Sequence, residues 1–217
     1  LTLTGNLLGA QISGGATMFV DEDGKVIADN NILIGFSINT GASMVVFNAD
    51  ISANGNGLDG LDVVSSASLD IDGNSTLTAN NNRREGISID NGSINIFGFF
   101  STEADLPRIV ANNNTNNGIQ IEFGGKLDIG RNSSIQVMDN GQAGISLDDG
   151  SSANIHDSEI TGNNGILLSK KRKHRKHRKH HDEDEAISAD IIVTFASRVS
   201  FNGNNNIGLI LCDRSSM

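Results

Sequence analysis

A glycine followed by apolar–any–apolar recurs eight times along the chain, and no feature constrains the fold more. The copies begin at Gly9, Gly35, Gly60, Gly86, Gly118, Gly144, Gly165 and Gly208, with segments such as Gly35-Phe36-Ser37-Ile38 and Gly86-Ile87-Ser88-Ile89. Successive glycines lie 26, 25, 26, 32, 26, 21 and 43 residues apart. Self-similarity at such a period is the signature of a solenoid, a propeller or another repeat array. Each unit holds three short runs of Ile, Leu and Val that end at Gly, Asn, Asp or Ser, the pattern of strands broken by turns. Gly118–Ile121, Lys126–Ile129 and Ser134–Val137 illustrate it.

Three strands per unit of about 25 residues describe a coil rather than a hairpin. Stacked coils pair each strand in parallel with its copies above and below, about 4.8 Å away. Two apolar ladders follow. One is Phe36, Leu61, Ile87, Ile119, Ile145, Ile166 and Leu209; the other is Ile12, Ile38, Val63, Ile89, Ile121, Leu147, Leu168 and Leu211. Both point inward, because they alternate with Ser37, Asp62, Ser88, Gln120 and Ser146. A single coil cannot bury its own face, so stability comes from its neighbours. The corner amides predict a further, structural ladder of Asn30, Asn54, Asn80, Asn112, Asn140, Asn163 and Asn204, since Asn accepts left-handed backbone and stacked amides bond along the axis.

The segments Asn82–Ser93 and Asn140–Ser151 run from Asn to Gly, then apolar–Ser–apolar–Asp, then Gly-Ser. In these residues, and in architecture over almost the whole chain, the sequence resembles the right-handed parallel β-helix of pectin-lyase-like proteins. The expectation is one all-β domain over residues 1–217, a right-handed parallel β-helix of about eight coils with three short strands each. At one strand spacing per coil it would be roughly 38 Å long. The Ca²⁺-binding nonapeptide of toxin-type repeats is absent from the sequence.

Two insertions interrupt the period, and in solenoids such departures map to loops. Residues 97–107 replace a short turn and carry three of the nine Phe, which either lie on the solenoid wall or face a partner. Residues 170–185 carry eight of the sixteen Lys/Arg and four of the five His. Their triplet core, Lys173 to His180, has the look of low-complexity expansion. This run is a charged loop that folds back on the acidic body, a polyanion-binding segment using Lys170, Lys171, Arg172, Lys173, Arg175, Lys176, Arg178 and Lys179, or a His-rich metal tract. The eight positive charges disfavour the metal. The remaining eight Lys/Arg against twenty-two Asp/Glu leave the rest of the chain at −14. Such a body repels nucleic acid and anionic membranes.

The position after the first strand of each coil faces the cleft in the lyases that the sequence resembles. Here Asp90, Glu122 and Asp148 fall there in three consecutive coils, with Asp149 alongside. Stacked carboxylates raise one another's pKa unless a cation separates them, and hard oxygen ligands suit Ca²⁺. The same residues also suit a solvated acidic edge. The resemblance implies for an enzyme a basic residue on that sheet, or a His-containing turn beside several Asp. The outward positions Ser37, Asp62, Ser88, Gln120, Ser146 and Leu167 supply neither. Arg83 and Arg84 stand just before a coil start, Lys126 begins another strand, and His156 is isolated on the second strand. The chain has no Trp or Tyr, so Phe alone could stack on a sugar.

The sequence therefore leans away from an enzyme. It is read as a non-catalytic structural, adhesive or surface-binding segment of an extracellular protein, with an acidic polysaccharide or cell-surface component as partner. The alternative is a polysaccharide lyase, epimerase or hydrolase segment with a Ca²⁺-binding acidic column. The lone Cys212 excludes an internal disulfide framework. No run reaches the roughly 20 apolar residues of a membrane span, and no signal peptide is visible. Because the chain opens mid-repeat at Leu1, it reads as a piece of a longer protein. Asn74, Asn91, Asn113 and Asn132 match the glycosylation acceptor pattern, which a chain this rich in Asn and Ser yields by chance.

Overall fold

In the computed structural model the chain winds into an all-β parallel solenoid with three strands per turn. The structure describes residues 1–98, 106–130, 132–148 and 150–162, together with the backbone of the later strands 166–169, 190–194, 198–201 and 209–211. The first coil is β1 (Ala10–Ile12), β2 (Thr17–Asp21) and β3 (Lys25–Ile27); the second is β4 (Phe36–Ile38), β5 (Ser43–Phe47) and β6 (Asp50–Ser52). The third is β7 (Leu61–Val64), β8 (Ser68–Asp72) and β9 (Thr76–Thr78); the fourth is β10 (Ile87–Asp90), β11 (Ser93–Phe97) and β12 (Arg108–Val110). The fifth is β13 (Ile119–Glu122), β14 (Lys126–Gly130) and β15 (Ser134–Val137); the sixth is β16 (Ile145–Asp148), β17 (Ser152–His156) and β18 (Glu159–Gly162). Beyond them come β19 (Ile166–Ser169), β20 (Asp190–Thr194), β21 (Arg198–Phe201) and β22 (Leu209–Leu211).

The eight coils expected from the glycine repeat are thus about six. β22 is the last strand among the described residues, and only the backbone of β19 to β22 is described. The described strands pair only in parallel, each with its counterpart one coil away, giving three long sheets. No helix among the described residues is long and apolar enough to cross a membrane.

The two apolar ladders run in register. Phe36 pairs Leu61, Leu61 pairs Ile87, Ile87 pairs Ile119 and Ile119 pairs Ile145, with Ile38, Val63, Ile89, Ile121 and Leu147 two residues on. From Phe36 to Leu147 these side chains are fully buried. They meet Met44, Leu69, Ile94, Leu127 and Ile155 from the second sheet and Ile51, Leu77, Ile109, Ile135 and Ile160 from the third. Strict two-residue alternation is what lets each strand fill the interior on one side and meet solvent on the other.

The corner amides form two columns where one was expected. Asn54, Asn80 and Asn112 belong to the outer column: each side-chain oxygen accepts the backbone N–H one coil on, from Asn80, Asn112 and Met138 respectively, each at 2.7 Å. Asp29 heads this column by accepting from the Asn54 N–H. Asn140 lies instead in an inner, buried column with Asn31, Asn56, Asn82 and Asn114. There each amide Nδ2 and its own backbone N–H both donate to the next Oδ1, at 2.9 to 3.2 Å. Asn30 is in neither. It sits between the columns in left-handed backbone (φ 55), like Gly55, Asn81, Asn113 and Asp139. A corner of three residues thus has two amide roles and one left-handed role, and the sequence does not say which Asn takes which. Asn163 and Asn204 lie outside the described residues.

The inner column explains the repeating glycine. A Cβ on Gly86 would stand 2.6 Å from Asn114 Nδ2 and 2.7 Å from the carbonyl oxygens of Ala79 and Gly118. The amide occupies the space that any side chain would need. The insertion at 97–107 leaves the stack intact, since β12 pairs with both β9 and β15. Its residues 99–105 lie outside the described residues, as does all of 170–185.

Candidate functional site

Among the described residues, the first sheet gathers a row of polar side chains over coils three to six. Asp62, Ser88, Gln120 and Ser146 lie in one row across β7, β10, β13 and β16. Asp90 and Glu122 pair two residues further along, and Asp148 follows in the next strand. Just before the strands, Asp59, Glu85 and Asn117 take the position that Ile34 and Ala143 fill in other coils. All three are buried.

In coils five and six the groups are mutually satisfied. Asn117 Nδ2 donates to Gln120 Oε1 at 2.5 Å, and Asn117 Oδ1 accepts the Ala143 N–H at 3.0 Å. Gln120 Nε2 in turn donates to Glu122 Oε1 at 3.0 Å and Asp148 Oδ2 at 2.8 Å. The expected column of Asp90, Glu122 and Asp148 is therefore bridged between its last two members by an amide. Among the described residues no three or more His, Cys, Asp or Glu side chains gather into a set that could hold a metal ion. A Ca²⁺ here would have to displace the Gln120 N–H groups, so the donor set does not fit the ion as it stands. Asp149 and the whole basic run, Lys170 to Lys179, lie outside the described residues.

In coils three and four the electrostatics are tighter. The Asp59 side chain accepts the Glu85 N–H at 3.0 Å and shares hydrogen bonds with the Glu85 and Asp62 carboxyls. Arg84, half-exposed, reaches Asp59 Oδ2 at 3.4 Å and Glu85 Oε2 at 3.2 Å. Asn116 Nδ2 donates to Glu85 Oε1 at 3.0 Å. One guanidinium thus faces three carboxyls. Burial pushes the Asp59 carboxyl from 3.8 to about 8, helped by its bond to Glu85 and the charge of Asp62. Burial likewise pushes Asp62 up to about 6, against the pull of Asp59 and Arg84. Desolvation outweighs the cation because the charged form loses water while Arg84 is divided between two partners. The two neighbouring carboxyls thus share a site in which burial raises both, Asp59 the more strongly.

Asp59 and Glu85 are absent from the residues that the sequence singles out. Their one signal is positional: an acid where other coils place Ile34 or Ala143. Of the other bases, Arg84 joins the cluster. Lys126 starts β14 on the second sheet, and His156 ends β17, with Nδ1 3.7 Å from Asp157 Oδ2.

No protein-family model matches the chain, and neither the curated proteins nor the solved structures include one similar to it.

Proposed function

We propose that the chain is a non-catalytic structural and surface-binding segment of an extracellular, adhesin-like protein, wound as a right-handed β-helix of the pectin-lyase-like kind. One observation carries this reading: Asn117, Gln120, Glu122 and Asp148 of the first sheet bond to one another across the coils, while in coils three and four Asp62 Oδ1 and Glu85 Oε2 are buried without a hydrogen-bond partner. Gln120 is held by Asn117 and spans Glu122 and Asp148, while Asp59 and Glu85 are buried beneath Arg84. A catalytic face needs groups aimed at a bound substrate, with a base and an acid free to move protons. Here the same groups tie coil to coil, as a rigid spacer requires.

A polysaccharide-cleaving segment is the second reading. It is favoured by two adjacent carboxyls, Asp59 and Asp62, both pushed up by burial. Incubating the chain with polygalacturonate and alginate, with and without added Ca²⁺, separates the two. The structural reading expects no unsaturated uronate absorbance, no new reducing ends and no heat of Ca²⁺ binding. Turnover that disappears in Asp62→Asn would overturn it.

A further inference from the structure

We propose that the outward face of the second sheet is a binding site for a neutral glycan chain lying along the solenoid axis. This rests on the surface-binding part of the reading above and gives it a ligand class. Two rows of side chains build the face. In the first, Asp70, Asn95, Asp128 and Asn154 stand in register on four consecutive strands, β8, β11, β14 and β17. Acid and amide alternate. Asn95 Nδ2 donates to Asp70 Oδ1 at 2.6 Å, and Asn154 Nδ2 donates to Asp128 Oδ1 at 2.5 Å. The Asn154 side is exposed and the other three are half-buried.

Each Asp–Asn pair is oriented by its internal bond and retains capacity. A carboxylate oxygen, an amide oxygen and a second amide N–H remain on each pair. That set of two acceptors and one donor matches a pair of neighbouring sugar hydroxyls, each of which both donates and accepts. The two pairs repeat every two strands, about 9.6 Å at 4.8 Å per strand, close to the length of a disaccharide unit in an extended chain of pyranoses.

The second row lies two residues along the same strands. Phe97, Gly130 and His156 are in register there. A Cβ on Gly130 would meet His156 Nε2 at 2.9 Å and Phe97 Cδ1 at 3.1 Å. Both rings therefore stand against the bare glycine, one from each neighbouring strand, flanking the polar row at about 7 Å, twice the rise per residue of a strand. An aromatic surface beside oriented hydrogen-bonding groups offers a sugar its apolar C–H face and its hydroxyls together. The nearby carboxylates of Asp70, Asp72 and Asp128 repel uronates, which selects a neutral chain.

The test is calorimetric titration of the full chain with cellohexaose and mannohexaose, and with hexagalacturonate as the anionic comparator. Asn154→Ala and Phe97→Ala are compared with Gln136→Ala on the third sheet, all verified as folded by their melting curves. Saturable binding of a neutral hexasaccharide is expected, weakened about tenfold in each second-sheet variant, as loss of a bond or stacking contact implies, and unchanged in Gln136→Ala. No binding by either neutral hexasaccharide, wild-type affinity in both variants, or tighter binding of hexagalacturonate would overturn the site. Reducing-end release is followed in the same samples. Release with binding intact refutes the non-catalytic reading and leaves this site; absent binding without release does the reverse.

Discussion

Asp59→Asn is expected to stabilise the protein at neutral pH. The carboxyl is 2% exposed and holds its proton to about pH 8, whereas it titrates at 3.8 when free of the fold. Below about pH 4 both states carry the proton and the group is neutral to stability. As the pH rises from there, the unfolded chain ionises while the folded one does not, so stability falls steadily until about pH 8 and then levels. At pH 7 the gap from 3.8 is about three units, and at about 1.4 kcal/mol per unit the penalty is ~4 kcal/mol. An Asn removes it and keeps the geometry. Its Oδ1 accepts the Glu85 N–H as Asp59 Oδ1 does now at 3.0 Å, and its Nδ2 offers two donors to the Glu85 and Asp62 carboxyls. The solenoid already uses this solution two coils on, where Asn117 Oδ1 accepts the Ala143 N–H at 3.0 Å. Arg84 loses one ion pair, but a half-exposed pair contributes little. Urea unfolding, followed by circular dichroism at pH 4 and pH 7, reads the effect. The variant should match wild type at pH 4 and exceed it by ~2–4 kcal/mol at pH 7. A variant no more stable than wild type at pH 7, or a difference that does not grow with pH, would refute the account of this cluster.

Two further outcomes test the corners. Asn82→Ala leaves the buried Asn56 N–H and Nδ2 without the acceptor that they share at 2.9 and 3.1 Å. At ~1–3 kcal/mol per stranded group this should cost about 2–6 kcal/mol in urea unfolding, against under ~1 for the half-buried Asn80→Ala; equal losses would mean that the inner column is not the stronger one. Gly86→Ala drives a methyl into Asn114 Nδ2 and two backbone oxygens at 2.6 to 2.7 Å. It should lower stability by about 1–3 kcal/mol or more, and an unchanged melting temperature would show that the amide column yields freely.

The sequence carried the first-strand ladders because two signals coincide there. Apolar residues alternate with Ser, Asp and Gln, and a glycine fixes the phase of each copy. The same phase puts Asp62, Ser88, Gln120 and Ser146 in one row between the core positions, in register across four strands, with Gln120 and Ser146 themselves buried. The second and third strands are legible to within a residue or two at their ends. The corner columns were legible only as a density of Asn. Three adjacent corner residues take distinct roles, and which Asn is buried depends on the coil one turn away, 25 to 32 residues distant in the chain. The glycine was visible as a marker, but its cause, an amide from the following coil, is equally non-local.

Asp59 and Glu85 were illegible for a deeper reason. Carboxylates are expected at the surface, and reading them there is usually right. In a solenoid, however, burial belongs to the position in the coil and not to the residue that fills it. In coils three to six the site before the glycine is buried whether it holds Asp59, Glu85, Asn117 or Ala143, whereas Ile34 at the same site in the second coil is half-buried. An acid placed there must find its partners in adjacent coils or keep its proton. Asp59 does both, bonding Glu85 one coil on and remaining protonated to about pH 8. Adjacent acids at this one buried position, Asp59 and then Glu85, are therefore a readable mark of a proton held between coils. The outward carboxylates Asp90 and Glu122 occupy half-buried positions. Position first, residue second, is the order in which charge in this fold has to be read.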